Sequence, residues 1–188
     1  MRSLAAILLI GALPAFGQVA KPASLSNNPK LPAPVKAQRI PFSSIRELER
    51  LFNFQLSSLV KDVDQPAELM GDTRGVQMED FGVVFTAEVS LVLAPAITPF
   101  MQKIPPELAA RIRKARVDRL PVLKTAMKEM MRSAASQVAG QVPAAQQVIV
   151  AVRLYYGTWE DTTGMPKEIM MRATRVNAQN GLVEMEER

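Results

Sequence analysis

The chain has 188 residues, is 48% hydrophobic and 22% charged, and carries a formal charge of +5 from 23 Lys+Arg against 18 Asp+Glu. Such a balance belongs to a globular protein rather than a disordered one, and so mild a positive excess permits acidic surfaces without demanding nucleic acid. Cysteine and histidine are both absent, which excludes disulfides, thiol nucleophiles, Ser-His-Asp and Cys-His catalysis, Cys- or His-ligated haem and Fe–S groups, and the usual zinc sites. An enzyme would be left with carboxylates, Lys, Tyr, Ser/Thr or a carboxylate-bound metal. No cofactor is expected.

Residues 1–17 read as a signal peptide. Arg2 supplies the positive start, Leu4–Leu13 is an apolar run too short to span a bilayer, and Ala15 and Gly17 are small residues suited to cleavage near Gly17. The mature protein is therefore expected to be periplasmic or secreted. Residues 18–41 read as a tether. Pro22, Pro29, Pro32, Pro34 and Pro41 block helix and favour extended chain, and Lys21, Lys30, Lys36 and Arg39 make it basic. Residues 42–188 form the expected folded domain.

A helix is predicted over Phe42–Val63. Ile45, Leu48, Phe52, Leu56 and Leu59 recur at spacings of three and four, Leu51 and Phe54 broaden the stripe, and Ser44 with Glu47 fits a capping box. Gly75–Asp80 reads as a short strand joined by a hairpin at Asp80-Phe81-Gly82 to the longest β signal of the chain, Gly82–Leu93. There Phe85, Ala87, Val89 and Leu91 face one way and Val84, Thr86, Glu88 and Ser90 the other. The carboxylate of Glu88 marks the second face as the less protected one. Glu79 and Asp80 are adjacent and so point to opposite sides of a strand, which fits a solvated turn better than an acid–base pair.

From Glu107 to Val138 the pattern is helical, with Leu108, Ile112, Leu123, Met127, Met130, Met131 and Ala134 on an apolar side and Pro121 as a kink or the start of a second helix. This is the basic part of the protein. Arg111, Arg113, Lys114, Arg116, Arg119, Lys124, Lys128 and Arg132 stand against Glu107, Asp118 and Glu129 alone. The region could cover a sheet as a solvated helix, or meet an anionic lipid surface, an acidic partner or a polyanionic envelope polymer.

Gln147–Tyr156 is the second strong strand signal, apolar enough to lie centrally beside Gly82–Leu93, and Lys167–Val176 gives a fourth. Between them, Tyr155, Tyr156 and Trp159 cluster at a strand end, where they could hold a ligand or lock the loop onto the sheet. Asp161-Thr162-Thr163-Gly164 resembles an aspartic-protease signature, but the additional threonine breaks it. Leu182–Arg188 could add a short acidic strand.

The fold class expected is α+β, a four-stranded mixed or antiparallel sheet covered on one face by helices in the order α-β-β-α-α-β-β. The functional expectation is an exported, non-enzymatic bacterial envelope protein that binds or supports a protein partner, with a homo-oligomer also possible. Its alternatives are a peripheral binder of anionic lipid or envelope polymer through residues 107–132, and a carboxylate-based hydrolase or divalent-metal protein. The candidate binding residues are Arg111, Arg113, Lys114, Arg116, Arg119, Tyr155, Tyr156 and Trp159; no catalytic or metal residue is assigned.

Overall fold

Apolar residues at helical spacing place the first helix, α1 (Phe42–Ser57), with Ile45, Leu48, Phe52 and Leu56 buried, while Leu51 and Phe54 stay exposed. The computed structural model describes residues 38–59, 66–100 and 102–188. The leader, nearly all of the tether and the end of the first predicted helix lie outside these. The expected capping box does not form. The helix starts directly after Pro41, whose carbonyl accepts from the backbone N–H groups of Ser44 and Ile45, and Glu47 instead accepts from Gln137 Nε2 at 3.0 Å.

Among the described residues the sheet is mixed and has six strands, not four. They are β1 (Glu68–Leu69), β2 (Arg74–Met78), β3 (Gly82–Ser90), β4 (Gln147–Leu154), β5 (Glu168–Thr174) and β6 (Glu184–Glu187). β1 and β2 pair antiparallel with successive parts of the same side of β3, so they form one interrupted edge. β4 runs parallel to β3 on its other side, in register from Gly82↔Gln147 to Val89↔Leu154, and β5 and β6 follow antiparallel. A parallel neighbour requires a crossover connection, which hairpins cannot make. α2 (Pro106–Gln137) supplies it as one helix where two were expected. Pro121 and Val117 are both exposed, so the carbonyl that loses its donor at the proline lies on the watered side and the helix continues. A short α3 (Arg175–Gln179) interrupts the last hairpin, capped by Thr174.

Strand alternation decides the two sides of the sheet. Val83, Phe85, Ala87, Val89, Val148, Val150, Val152, Ile169 and Met171 are buried and join the core with α1 and with Leu123, Met127, Met130, Met131 and Ala134 of α2. Phe52 meets Phe85 edge-on at 5.0 Å between ring centroids. The opposite side, with Val84, Thr86, Glu88, Ile149, Ala151 and Arg153, stays partly or fully exposed. Register sets Arg153 beside Glu88 on β3 and beside Glu168 on β5, an alternating charged row on that side. The helices thus cover one face of a mixed sheet, as the α+β reading anticipates.

Two glycines are dictated by close approach. Gly82 has φ of 137°, and a Cβ there would stand 1.9 Å from the Gln147 carbonyl oxygen, where β3 and β4 begin to pair. Gly75 lies beneath the Phe85 ring, 2.6 Å from where its Cβ would be.

Candidate binding site

Loops that leave parallel strands carry backbone carbonyls that no neighbouring strand satisfies, and buried carbonyls must find donors. Here the donors come from α2. Arg113, Arg116 and Arg119 recur at a spacing of three, which sets them along one side of the helix. They reach the segments that follow β3 and β4. Arg119 Nη1 donates to the Leu91 carbonyl at 2.7 Å. Arg116 donates to the Tyr155 carbonyl through Nη1 at 3.2 Å and to the Val92 carbonyl through Nη2 at 3.2 Å. Arg113 donates to the carbonyls of Asp161 at 2.5 Å and Thr163 at 2.8 Å.

Arg116 is 1% exposed, which would be prohibitive for a lone cation. Glu160 compensates it: Oε2 accepts from Nε at 2.5 Å and Oε1 from Nη2 at 2.8 Å. Two parallel contacts make this the strong bidentate form of the pair. Glu160 Oε1 also accepts the Gly157 N–H at 2.7 Å, so the carboxylate turns the loop 157–160 back on itself. The guanidinium lies over the Tyr156 ring at 5.1 Å, and the Tyr156 hydroxyl donates to the Pro166 carbonyl at 2.7 Å. Burial pushes the Tyr156 phenol above its ordinary pKa, only partly opposed by the Arg116 charge. Tyr156 is therefore a neutral packing and hydrogen-bonding group at physiological pH.

At the mouth of this arrangement is a recess of about 210 Å³, lined among others by Glu68, Leu93, Ile97, Arg116, Tyr155 and Trp159. The Trp159 indole N–H donates to the Pro95 carbonyl at 3.0 Å, which ties the aromatic loop to the segment after β3. The surrounding apolar side chains are conspicuously uncovered: Met70 is 42%, Leu93 52%, Ile97 49% and Tyr155 45% exposed. The recess thus sits outside the carboxyl ends of the two parallel strands, the place where open α/β sheets characteristically bind ligands.

Of the residues expected from sequence, the structure brings Arg113, Arg116, Arg119, Tyr155, Tyr156 and Trp159 together here. Arg111 and Lys114 are exposed on α2, with Lys114 paired to Asp118 at 2.6 Å. Of these eight residues, the arginines at 113, 116 and 119 hold loops through inward contacts, and their charges are not presented as an open stripe. Sequence reasoning missed Glu160, the apolar rim of Leu93 and Ile97, and Glu68. The signal that could have found this arrangement is the Arg-x-x-Arg-x-x-Arg spacing, which sets three of the basic residues along one side of a helix, whereas the basic residues taken together read as spread over more than one face. Glu79 and Asp80 sit exposed in the β2–β3 hairpin, and among the described residues no three acidic side chains are grouped to hold a metal ion. No helix among the described residues is long and apolar enough to cross a membrane. No family model matches the sequence, and neither a curated protein nor a solved structure is significantly similar to it.

Proposed function

We propose that this chain is an exported envelope protein whose folded domain is a non-enzymatic protein-binding module, with its site in the recess at the carboxyl ends of β3 and β4. The observation that carries this reading is the group of uncovered apolar side chains around the recess, Met70, Leu93, Ile97 and Tyr155, on a framework held by buried hydrogen bonds. Exposed apolar groups gathered beside a cavity mark interaction surfaces, and a rigid aromatic rim is what anchor-type recognition uses. Export is supported by Arg2 and the apolar run Leu4–Leu13, and a periplasmic or secreted location follows from it. Binding to anionic lipid or polymer through residues 107–132 is the weaker reading. Arg113, Arg116 and Arg119 already spend their N–H groups on internal acceptors.

The test is a photo-crosslinking amino acid placed at Ile97 in the full chain, expressed in its own host, with the same group at Arg153 on the opposite side of the sheet as comparison. A discrete protein adduct is expected from position 97 alone. Leu93→Asp should reduce it at least tenfold, equivalent to about 1.4 kcal/mol of binding. An adduct pattern identical at both positions, or one indifferent to Leu93→Asp in a protein that still folds, would reject the site.

A further inference from the structure

We infer that the recess takes an internal stretch of polypeptide in which one large apolar side chain adjoins a lysine or arginine; this deepens the protein-binding reading above and rests on it. Size limits the occupant first. Pockets for whole small molecules or cofactors run to about 300–1,000 Å³, whereas this one is about 210 Å³. It suits a single anchor side chain, walled by Leu93, Ile97, Tyr155 and Trp159.

Hydrogen-bonding capacity limits it next. A guanidinium carries about five N–H donors. Arg116 uses Nε and Nη2 on Glu160, Nη2 also on Val92 and Ser90, and Nη1 on the Tyr155 carbonyl. One Nη1–H is left without an acceptor among the described residues, on a side chain that lines the recess. A main-chain carbonyl beside the anchor would supply that acceptor.

Charge decides the neighbour. Glu160 already neutralises Arg116 at bidentate distance, so the recess offers no net positive charge to a chain-terminal carboxylate or a phosphate. Glu68, the other charged residue of the lining, is exposed and has no ion-pair partner among the described residues. It favours a cation at the rim, and the faces of Tyr155 and Trp159 would add to the attraction.

Panning a random linear peptide library on the full chain tests this, with Glu68→Lys and Leu93→Asp panned in parallel and thermal melts showing that each variant is folded. The wild type should enrich peptides with an aromatic or large aliphatic residue next to Lys or Arg, and Glu68→Lys should exchange that basic residue for Asp or Glu. Quenching or a spectral shift of Trp159, the chain's single tryptophan, reads binding of each synthesised peptide. The selected peptides should bind at least fivefold more weakly when their basic residue becomes Glu. Peptides that depend on Leu93 but show no charge preference, or keep it in Glu68→Lys, would overturn this inference and leave the protein-binding site standing. Failure to select any Leu93-dependent peptide would overturn both.

Discussion

The two long helices both lend side chains to backbone groups that the sheet leaves unpaired, but with opposite chemistry. At the β2 edge the orphan groups are N–H donors, and α1 answers with acceptors. Glu49, only 7% exposed, accepts the Gly75 N–H at 2.8 Å, and Asn53 Oδ1 accepts the Thr73 N–H at 2.8 Å. Beyond them, the Gln77 side chain accepts from the Ile40 N–H and donates to the Gln38 carbonyl, so the entering chain is strapped beside the same edge. At the carboxyl ends of β3 and β4 the orphan groups are carbonyls, and α2 answers with arginines. Covering a sheet edge in this way removes a template for strand addition. Long guanidinium arms instead hold loops at a distance from the helix, and a recess remains between them. A short acceptor closes a surface; a long donor leaves a site.

The widest expected separation between the two regions comes from breaking the Arg116–Glu160 pair. Its side chains are 1% and 6% exposed, so Glu160→Gln leaves a buried guanidinium uncompensated, at a cost of about 3–5 kcal/mol. For a domain of this size that is a fall in Tm of roughly 6–20 °C. Replacing both partners, Arg116→Met with Glu160→Leu, should recover a good part of it, because the isolated charge is gone even though some loop carbonyls lose donors. Thermal and urea melts measure both. A single variant that melts with the wild type would show that the loop, and not the pair, holds this end of the molecule.

At the other region, Glu49→Ala removes the acceptor of the Gly75 N–H and should cost about 1–3 kcal/mol. The smaller figure reflects an edge that water can reach once the carboxylate is gone, and an Arg46 partner that is itself half exposed and 3.5 Å away. Amide exchange at Gly75 should accelerate while exchange at Val150, in the centre of the sheet, changes only with global stability. Equal acceleration at both amides would mean that α1 does not act locally on the edge.

This contrast explains what could be read from the sequence. β3 and β4 were legible because alternation and β-branched residues identify a strand without knowledge of its neighbours. The apolar side of α2 was legible for the same reason, and its methionines fill the core. β1 has two residues and thus no period to detect; pairing with Ser90 and Val89 creates it. Pro121 was ambiguous because only the fold determines that its side of the helix meets water. Tyr155, Tyr156 and Trp159 drew notice as a cluster, but Glu160 beside them did not. Its partner lies 44 residues away in sequence, and local patterns contain no information about a contact made by a crossover. The spacing of Arg113, Arg116 and Arg119 was visible, but charge alone suggested solvent, and what those arginines neutralise and bond is set by loops that follow other strands.

The smallest effect expected is at the outer end of the arginine row. Asp161 accepts hydrogen bonds from Thr163, including its backbone N–H at 2.9 Å, and Arg113 lies 3.1 Å away; these hold its carboxyl below the ordinary value of 3.8. Because the folded-state pKa is lowered, the ionised form contributes stability at pH above that ordinary value. The contribution fades as the pH falls through the lowered folded value. Asp161→Asn should therefore melt slightly below the wild type near neutrality, and the two curves of Tm against pH should converge in strong acid. The carboxylate is exposed to solvent, so added salt should shrink the part of the gap owed to Arg113 and spare the part owed to Thr163. Glu160→Gln should show no comparable salt effect, since its pair is closed to solvent. A gap at Asp161 that persists unchanged into strong acid would assign the residue a role in packing the loop instead of an electrostatic one, and would place the outer end of the row with the edge of β2 rather than with its own buried centre.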